Sequence, residues 1–174
     1  MFESIQPVKG IRDVFKYPND SAKAKVIFAV AQEVLREPSV LSSADRELIA
    51  AFTSSLNKCE YCAGSHTVFA IEQGTDTEVI KAVTSGNYAD HRLAPIFDYV
   101  SVLTRTPSEI SVDLYNKVID NGFTEEELHD AILVCAAFNM YNRIVEGHRV
   151  ERNEDTWDQA AKVISSIGYD GRYM

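Results

Sequence analysis

Two cysteines and a histidine lie close together in the first half of the chain. Cys59 and Cys62 are three residues apart, and His66 follows four residues after the second cysteine. In an α-helix these positions are related as i, i+3 and i+7, so the three side chains would share one stripe of the helix surface. Thiols and an imidazole on one stripe are suited to redox chemistry or to binding a metal ion.

The reactive form of cysteine is the thiolate, and a free thiol with a pKa of about 8.5 is mostly protonated at neutral pH. The start of a helix stabilises negative charge, which favours ionisation of Cys59. A base one helical turn away favours ionisation of Cys62, because His66 can accept its proton. The two arguments favour different nucleophiles, and the sequence alone leaves both open.

Three other interpretations compete with redox chemistry. A zinc site would use both thiols and the imidazole, but zinc-binding sequences usually contain a second ligand pair, so Cys135 or Glu47 would have to complete the shell. Covalent haem attachment requires histidine directly after the second cysteine, where Ala63 stands. Two small buried thiols without chemistry are the structural alternative. We therefore predict neither a metal nor a cofactor.

Glu47 has two interpretations. It lies on the amphipathic segment that precedes the cysteines, and antiparallel packing of the two segments would bring its carboxylate to His66. A carboxylate in the first turn of a helix also complements the helix dipole, which requires no other role. Two later residues are expected in the interior, namely Cys135 as an inert thiol and Arg143 with a carboxylate partner, because a buried guanidinium requires one.

The elements that must position these residues are helices. Apolar residues recur at helical spacing in eight segments, separated by short turns. The predicted helices cover about residues 20–36, 45–56, 58–74, 76–86, 90–106, 111–122, 125–150 and 157–165. The segment 131–138 is apolar nearly all round, which is typical of a helix at the centre of a bundle. Since no strand pattern occurs, the predicted fold class is all-α, with the cysteine pair at the start of a central helix.

Capping residues predict where several of these helices begin. In a capping box, two side chains three residues apart each bond the backbone of the other. The predicted boxes pair Asn57 with Glu60, Thr75 with Glu78, and Thr124 with Glu127. Single caps are predicted at Ser42 or Ser43, at Asp90, and at Ser108 or Ser111.

The length and composition fit one compact domain. The chain has 174 residues, of which 45% are hydrophobic and 25% are charged, as in ordinary globular proteins. We predict a single domain over residues 1–174, with an extended N-terminal arm at 1–19 and a motif-bearing core at 41–86. The arm carries apolar residues that need a surface to lie against, namely Phe2, Ile5, Val8, Ile11, Val14 and Phe15.

The charge and the cysteine count exclude several classes. A net charge of -9 argues against nucleic acid, because phosphate binding needs clustered Lys and Arg. No apolar run approaches membrane-spanning length, and residues 1–20 lack a signal-peptide hydrophobic region. Three cysteines are an odd count for a secreted disulfide scaffold. We expect a cytoplasmic protein without nucleic-acid or membrane partners.

The motif resembles a known family. Arg46-Glu47-Leu48-Ile49 is followed by Cys59-Glu60-Tyr61-Cys62-Ala63-Gly64-Ser65-His66, which is similar to the E-x11-C-x-x-C-x3-H core of the alkylhydroperoxidase D / carboxymuconolactone decarboxylase superfamily, in its peroxidase-related branch. The similar region covers about residues 41–86, and Phe138-Asn139-x-x-Asn142-Arg143 resembles a late-helix motif of that branch. The resemblance implies an all-helical fold that assembles into trimers or hexamers, with the thiol site near a subunit interface.

The resemblance also implies roles for the site residues. In that family the second cysteine attacks a peroxide, becomes a sulfenic acid and is resolved by the first. Cys62 would then be peroxidatic and Cys59 resolving, with Glu47 and His66 forming a proton relay. Tyr61 departs from the best-studied type, which carries a histidine between the cysteines, and tyrosine is a poor base at neutral pH. The decarboxylase branch is related by fold only, since its chemistry does not use a thiol pair.

We therefore expect an enzyme, a thiol-dependent peroxidase that reduces hydroperoxides through Cys59 and Cys62. An unknown thiol or disulfide reductant protein would reopen the disulfide, and the protein would be a homo-oligomer. One alternative is a disulfide reductase or adaptor that serves another peroxidase. The other is a zinc-binding or non-catalytic oligomeric scaffold.

Overall fold

The computed structural model describes residues 8–169, which form a bundle of eight α-helices. The helices are α1 (Asp20–Leu35), α2 (Ser43–Leu56), α3 (Glu60–Glu72), α4 (Thr77–Thr84), α5 (Ala94–Arg105), α6 (Val112–Asp120), α7 (Glu125–Gly147) and α8 (Trp157–Ile167). Over these residues the only extended pairing is one isolated parallel bridge between Val8 and Val150. The predicted all-α class is confirmed, and none of these helices is long and apolar enough to cross a membrane.

The centre of the bundle is α2. Residues 45–54 of this helix are all buried, and α2 packs against α3, α5 and α7. The prediction of α7 as the helix buried on every side is wrong, because Leu133 is 43% exposed and Ala136 is also exposed. Polar side chains interrupt the apolar pattern of α2, so the sequence does not indicate that this helix is buried. They are tolerated inside because they have partners, as Thr53 does when its hydroxyl donates to the Ile49 carbonyl over 2.8 Å.

Local capping chemistry sets several helix starts as predicted. Ser42 accepts a hydrogen bond from the Asp45 backbone, Ser111 caps α6, and Thr124 with Glu127 forms a complete capping box. Two other predicted caps are wrong. The cap of α4 is Asp76 rather than Thr75, and α5 begins after Leu93 without a side-chain cap, so Asp90 has no such role.

The prediction of Asn57 as the cap of the cysteine helix is also wrong. Asn57 is instead the C-cap residue of α2, and the residue that precedes α3 is Cys59. The side-chain amide of Asn57 donates to Asn139 and Asn142 of α7, over 3.1 and 2.9 Å. Two partners on another helix therefore take the amide that a local cap would have used.

Part of the predicted N-terminal arm lies against the bundle. Val8 exchanges backbone hydrogen bonds with the segment after α7, where its carbonyl accepts from Glu151 over 2.7 Å. Ile11–Val14 forms one turn of 3₁₀-helix, which buries Val14. Phe15 meets the ring of Phe28 edge to face. Phe2 and Ile5 lie outside the described residues.

Candidate active site

A tight link between α2 and α3 positions the cysteine pair. Lys58 adopts a left-handed conformation with φ of 57°, which turns the chain between the two helices. The backbone N–H of Cys59 donates to the Ser54 carbonyl over 3.0 Å, and the Cys59 carbonyl accepts from Ala63 over 2.9 Å. Cys59 is thereby fixed at the N-terminus of α3, with Cys62 one turn further along.

Both thiols are buried and free. Cys59 has no exposed surface, and Cys62 is 3% exposed. They form a small apolar cluster with Val145 of α7, which Ile11 and Tyr61 help to cover. A large partner protein cannot touch either sulfur in this conformation, whereas a small molecule needs only a cavity.

The pKa of the Cys62 thiol is raised well above its ordinary value. The hydrogen bond with Cys59 is the largest cause, followed by burial and by the charge of Cys59, while a side-chain hydrogen bond with Asn142 lowers it. Near neutral pH, Cys62 therefore keeps its proton unless a base removes it.

Glu47 and His66 meet in the interior, as the antiparallel arrangement predicted. Their atoms Oε2 and Nδ1 are 2.5 Å apart, and neither residue has more than 8% of its surface exposed. The imidazole is held between the rings of Phe69 and Phe138, which it meets edge to face at centroid distances of 5.0 and 4.4 Å. Because Nδ1 is engaged by the carboxylate, Nε2 is the ring nitrogen left for chemistry.

The second oxygen of Glu47 has two partners that the sequence analysis missed. Oε1 lies 2.5 Å from a guanidinium nitrogen of Arg36 and accepts a 3.0 Å hydrogen bond from the Tyr169 hydroxyl. Burial alone would raise the pKa of Glu47, but the nearby His66 and Arg36 bring it below its ordinary value. Glu47 is therefore a buried carboxylate held in its charged form. The interpretation of Glu47 as an exposed complement of the helix dipole is wrong.

Arg36 and Tyr169 carried no local signal of this role. Each stands outside a helix in sequence, Arg36 directly after α1 and Tyr169 after α8. They come together only in the fold, where the guanidinium lies over the Tyr169 ring at 5.1 Å. The backbone N–H of Tyr169 also donates to Gln32 over 2.7 Å.

A cavity of about 120 Å³ adjoins the thiol site. Cys62 and His66 both line it, with Tyr169 beside them. The rest of its wall is mainly apolar and comes from α1, α3, α7, α8 and the arm: Ile11, Phe28, Ala31, Tyr61, Ser65, Phe69, Phe138, Tyr141, Thr156, Trp157, Ala160 and Ile164. Cys59 and Glu47 lie behind this wall rather than in it. The structure thus brings the four predicted site residues into one region but opens only Cys62 and His66 to the cavity.

The imidazole and the thiols share the site without a recorded hydrogen bond between them in the described part of the chain. Within residues 8–169 the structure records no hydrogen bond from His66 to Cys59 or Cys62. Proton transfer from Cys62 to His66 therefore requires a small movement or a bridging molecule in the cavity.

Other residues weighed from the sequence lie apart from this chemistry. Cys135 is buried, its thiol is 3.3 Å from the Thr104 hydroxyl, and burial raises its pKa. Arg143 is exposed rather than buried and donates to Asn139 of its own helix, so the expectation of a buried carboxylate partner is wrong. In the part of the chain from 8 to 169, no three His, Cys, Asp or Glu side chains come together as metal ligands would.

Comparison with known proteins finds similarity both in sequence and in fold. Residues 24–97 match the model of the carboxymuconolactone decarboxylase family, a span that contains Glu47, Cys59, Cys62 and His66. The uncharacterized protein YdfG of Bacillus subtilis (strain 168) is 27% identical over 117 residues, which cover 64% of this chain and 78% of YdfG.

Two solved structures share the fold. An uncharacterized peroxidase-related protein from Silicibacter sp. TM1040 superposes with a TM-score of 0.71 at 24% identity, covering 88% of this chain and 75% of that one. The alkylhydroperoxidase AhpD core of an uncharacterized peroxidase-related protein from Ralstonia eutropha JMP134 gives 0.72 at 20% identity, covering 78% and 73%. The chain is thus similar to the carboxymuconolactone decarboxylase family over residues 24–97 and shares the fold of these two structures.

Proposed function

We propose that this protein is a thiol peroxidase in which Cys62 attacks a hydroperoxide and Cys59 resolves the product. The Cys62 thiolate sulfur attacks the terminal peroxide oxygen, the O–O bond breaks, and the alcohol leaves after taking up a proton. Cys62 is then a sulfenic acid. The Cys59 sulfur displaces its oxygen as water and forms the disulfide, and an external dithiol returns both sulfurs to thiols.

The observation that carries this proposal is the shared cavity of Cys62 and His66. Both residues line the same mainly apolar space, while the buried Glu47 carboxylate holds the other side of the imidazole. A volume of about 120 Å³ is several times the share of one water molecule in the liquid, about 30 Å³. It suits a hydroperoxide with a short apolar tail.

Because the pKa of Cys62 is raised, the reaction requires the imidazole of His66 as a base. Near neutral pH the free thiol keeps its proton, so the attack requires a base at the moment of reaction. His66 is the basic residue on the cavity wall, and the negative charge of Glu47 stabilises the imidazolium that forms when it accepts the proton. The Glu47–His66 pair is thus suited to activating Cys62 once peroxide is bound.

Burial of both sulfurs argues against the disulfide reductase or adaptor alternative for the reduced protein. A protein disulfide must reach an attacking thiolate along the axis of its S–S bond, and neither Cys59 nor Cys62 offers more than 3% of its surface. A hydroperoxide is small enough to meet Cys62 within the cavity. Exchange with a protein partner, including the reductant that reopens the Cys59–Cys62 disulfide, requires the cover of the site to open first.

The two cysteines should behave unequally when each is replaced. Cys59→Ser should consume a single equivalent of peroxide and leave a dimedone-reactive sulfenic acid on Cys62, because the resolving thiol is missing. Cys62→Ser should react no faster than an ordinary thiol. Peroxide titration under anaerobic conditions, free-thiol counting and mass spectrometry of the labelled peptides measure both outcomes.

Cys135→Ala is the matched control, since it removes the third thiol without touching the cavity. It should keep the parental rate and the loss of two thiols per peroxide. A sulfenic acid on Cys59 formed at the parental rate in Cys62→Ser would reverse the roles. If neither the parental protein nor any of these variants reacts with peroxide faster than a free thiol does, the peroxidase assignment itself is wrong.

A further inference from the structure

Three asparagines connect the cysteine pair to the surface of α7. Asn57, at the end of α2, donates one side-chain amide to the oxygens of Asn139 and Asn142 over 3.1 and 2.9 Å. Asn142 is 2% exposed and donates to the Ser54 hydroxyl over 3.0 Å. The Ser54 carbonyl in turn accepts from the backbone of Cys59. This amide chain, Asn139–Asn57–Asn142, is not used by the chemistry proposed above.

The direction of every hydrogen bond in the amide chain is fixed at its outer end. Arg143 has only donors, and it lies 3.1 Å from Oδ1 of Asn139. The backbone carbonyl of Cys135 has only acceptor capacity, and it lies 3.1 Å from Nδ2 of Asn139. Together they leave Asn139 one orientation, with its oxygen toward Asn57. The amide nitrogen of Asn57 must then face both neighbours, which puts the oxygen of Asn142 toward Asn57.

The remaining hydrogen-bonding group of Asn142 is its NH2 group, on the helix that packs against the thiols. Asn142 is three residues before Val145 on α7, and Val145 packs on Cys59 and Cys62. One amide hydrogen serves Ser54, and the interaction of the Asn142 side chain with Cys62 lowers the pKa of that thiol. A buried N–H that points at a sulfur favours the charged form of that sulfur.

We propose that Asn142 is a catalytic residue of the thiol site, whose side-chain N–H stabilises the Cys62 thiolate, and that the amide chain exists to hold it in that orientation. The inference deepens the proposed peroxidase function by naming the group that bears the developing charge on the attacking sulfur. Asn57 and Asn139 are positioning residues. Their contribution is to prevent the Asn142 amide from turning its oxygen toward the sulfur.

The test uses alkylation of Cys62 by iodoacetamide across a pH series, in a Cys59→Ser background so that one site thiol titrates alone. Asn142→Leu should raise the pH of half-maximal alkylation rate by about one unit, the effect of one hydrogen bond to a charged group. The other titratable groups around Cys62 stay in place, namely His66 on α3, Glu146 on α7, and Tyr61, Tyr141 and Tyr169 on the cavity wall. No peroxide is used, so the outcome is independent of the peroxidase assignment.

Val145→Ala is the matched control, because it loosens the same cluster without removing a donor. Easier access of water should leave its midpoint unchanged or lower it. Asn57→Ala is the second variant, at a half-buried site that tolerates truncation better, and it should raise the midpoint by less than Asn142→Leu. A midpoint in Asn142→Leu at or below the parental value would overturn the proposal. If Asn142→Leu does not fold, an unchanged midpoint in Asn57→Ala does the same.

Discussion

A carboxylate without exposed surface needs a partner for each of its oxygens, and Glu47 has three. His66 holds Oε2, while Arg36 and Tyr169 hold Oε1. Fixed in this way, the carboxylate keeps the imidazole in one orientation. Removing one charge from such a buried set leaves the opposite charges uncompensated, which is costly.

Replacement of this carboxylate by an amide should therefore impair both the chemistry and the stability of the fold. Glu47→Gln keeps the size of the side chain but loses the charge that stabilises the His66 imidazolium. Thiol oxidation by peroxide should slow by about 10²–10⁴-fold, the usual contribution of a general acid–base group. Stopped-flow measurement of Cys62 oxidation gives the rate. A rate within twofold of the parental protein would return Glu47 to a structural role.

The matched control is Tyr169→Phe, which removes one hydrogen bond from Glu47 and leaves its charge.

The contribution of Glu47 to stability can be measured separately from its contribution to the reaction rate, through the pH dependence of unfolding. The folded-state pKa of Glu47 is below its ordinary value of 4.5. Its stabilisation is present above that value and is lost as the pH falls through the folded pKa. The stability deficit of Glu47→Gln should therefore shrink as the pH falls below 4.5, in urea unfolding measured across an acid pH series.

Among the elements, α3 and α8 are in unusually close contact. The indole of Trp157 lies against Gly64, where an added Cβ would be 2.5 Å from its Cη2 atom. Tyr61 meets the same ring edge to face at 6.0 Å. Glycine at position 64 thus lets α8 approach the cysteine helix and close one side of the cavity.

Gly64→Ala should push Trp157 away from α3. Overpacking of this kind costs about 1–3 kcal/mol, and the displaced indole would open the cavity to water. Trp157 is the only tryptophan of the chain and is 5% exposed, so its fluorescence should move to longer wavelength. Gly147→Ala is the control, because a methyl group there meets nothing within 4 Å and should be neutral or slightly stabilising. An unchanged spectrum in Gly64→Ala would show that α8 adapts without moving its ring.

At this scale the sequence predicts what is local. The sequence predicts Ser42 and Thr124 as helix caps, because a cap and the backbone N–H that it bonds lie within three residues of each other. Asn57 has the same local pattern but bonds α7 instead, more than eighty residues away in sequence. A capping pattern cannot reveal a competing partner that the fold supplies.

The site residues likewise divide into those that the sequence predicts and those that only the fold brings together. Cys59, Cys62 and His66 lie on one helix, so their spacing alone placed them together, and Glu47 followed from antiparallel packing of neighbouring helices. Arg36 and Tyr169 are more than a hundred residues apart and meet only because α1 and α8 both pack around the site. No periodicity or motif marks such residues.

For the whole molecule, the exposed face of α7 requires an explanation. Leu133 and Ala136 are exposed, and Met140 is half-buried, on a helix whose other faces lie in the core. These positions share one stripe of the helix. Exposed apolar stripes often mark contacts between protein chains, and we propose that this one joins copies of the chain in a homo-oligomer.

Sedimentation equilibrium at micromolar concentration should give a mass that is a multiple of 19.4 kDa. Leu133→Glu should shift the distribution toward the monomer, because a carboxylate in an apolar contact loses its hydration. Val112→Glu is the control, since Val112 is 73% exposed on α6, away from this stripe. A parental protein of monomer mass would contradict the proposal. Dissociation caused by Val112→Glu and not by Leu133→Glu would show that the contact lies on another face.

The cover over the cavity has a consequence for how the protein is made. Cys59, Cys62 and His66 leave the ribosome about a hundred residues before Trp157 and Tyr169, which close the cavity and complete the partners of Glu47. At typical elongation rates that interval is about 5–20 s. In each round of translation the thiols therefore emerge before the wall that later surrounds them, and during that interval they are open to large partners that the finished fold excludes.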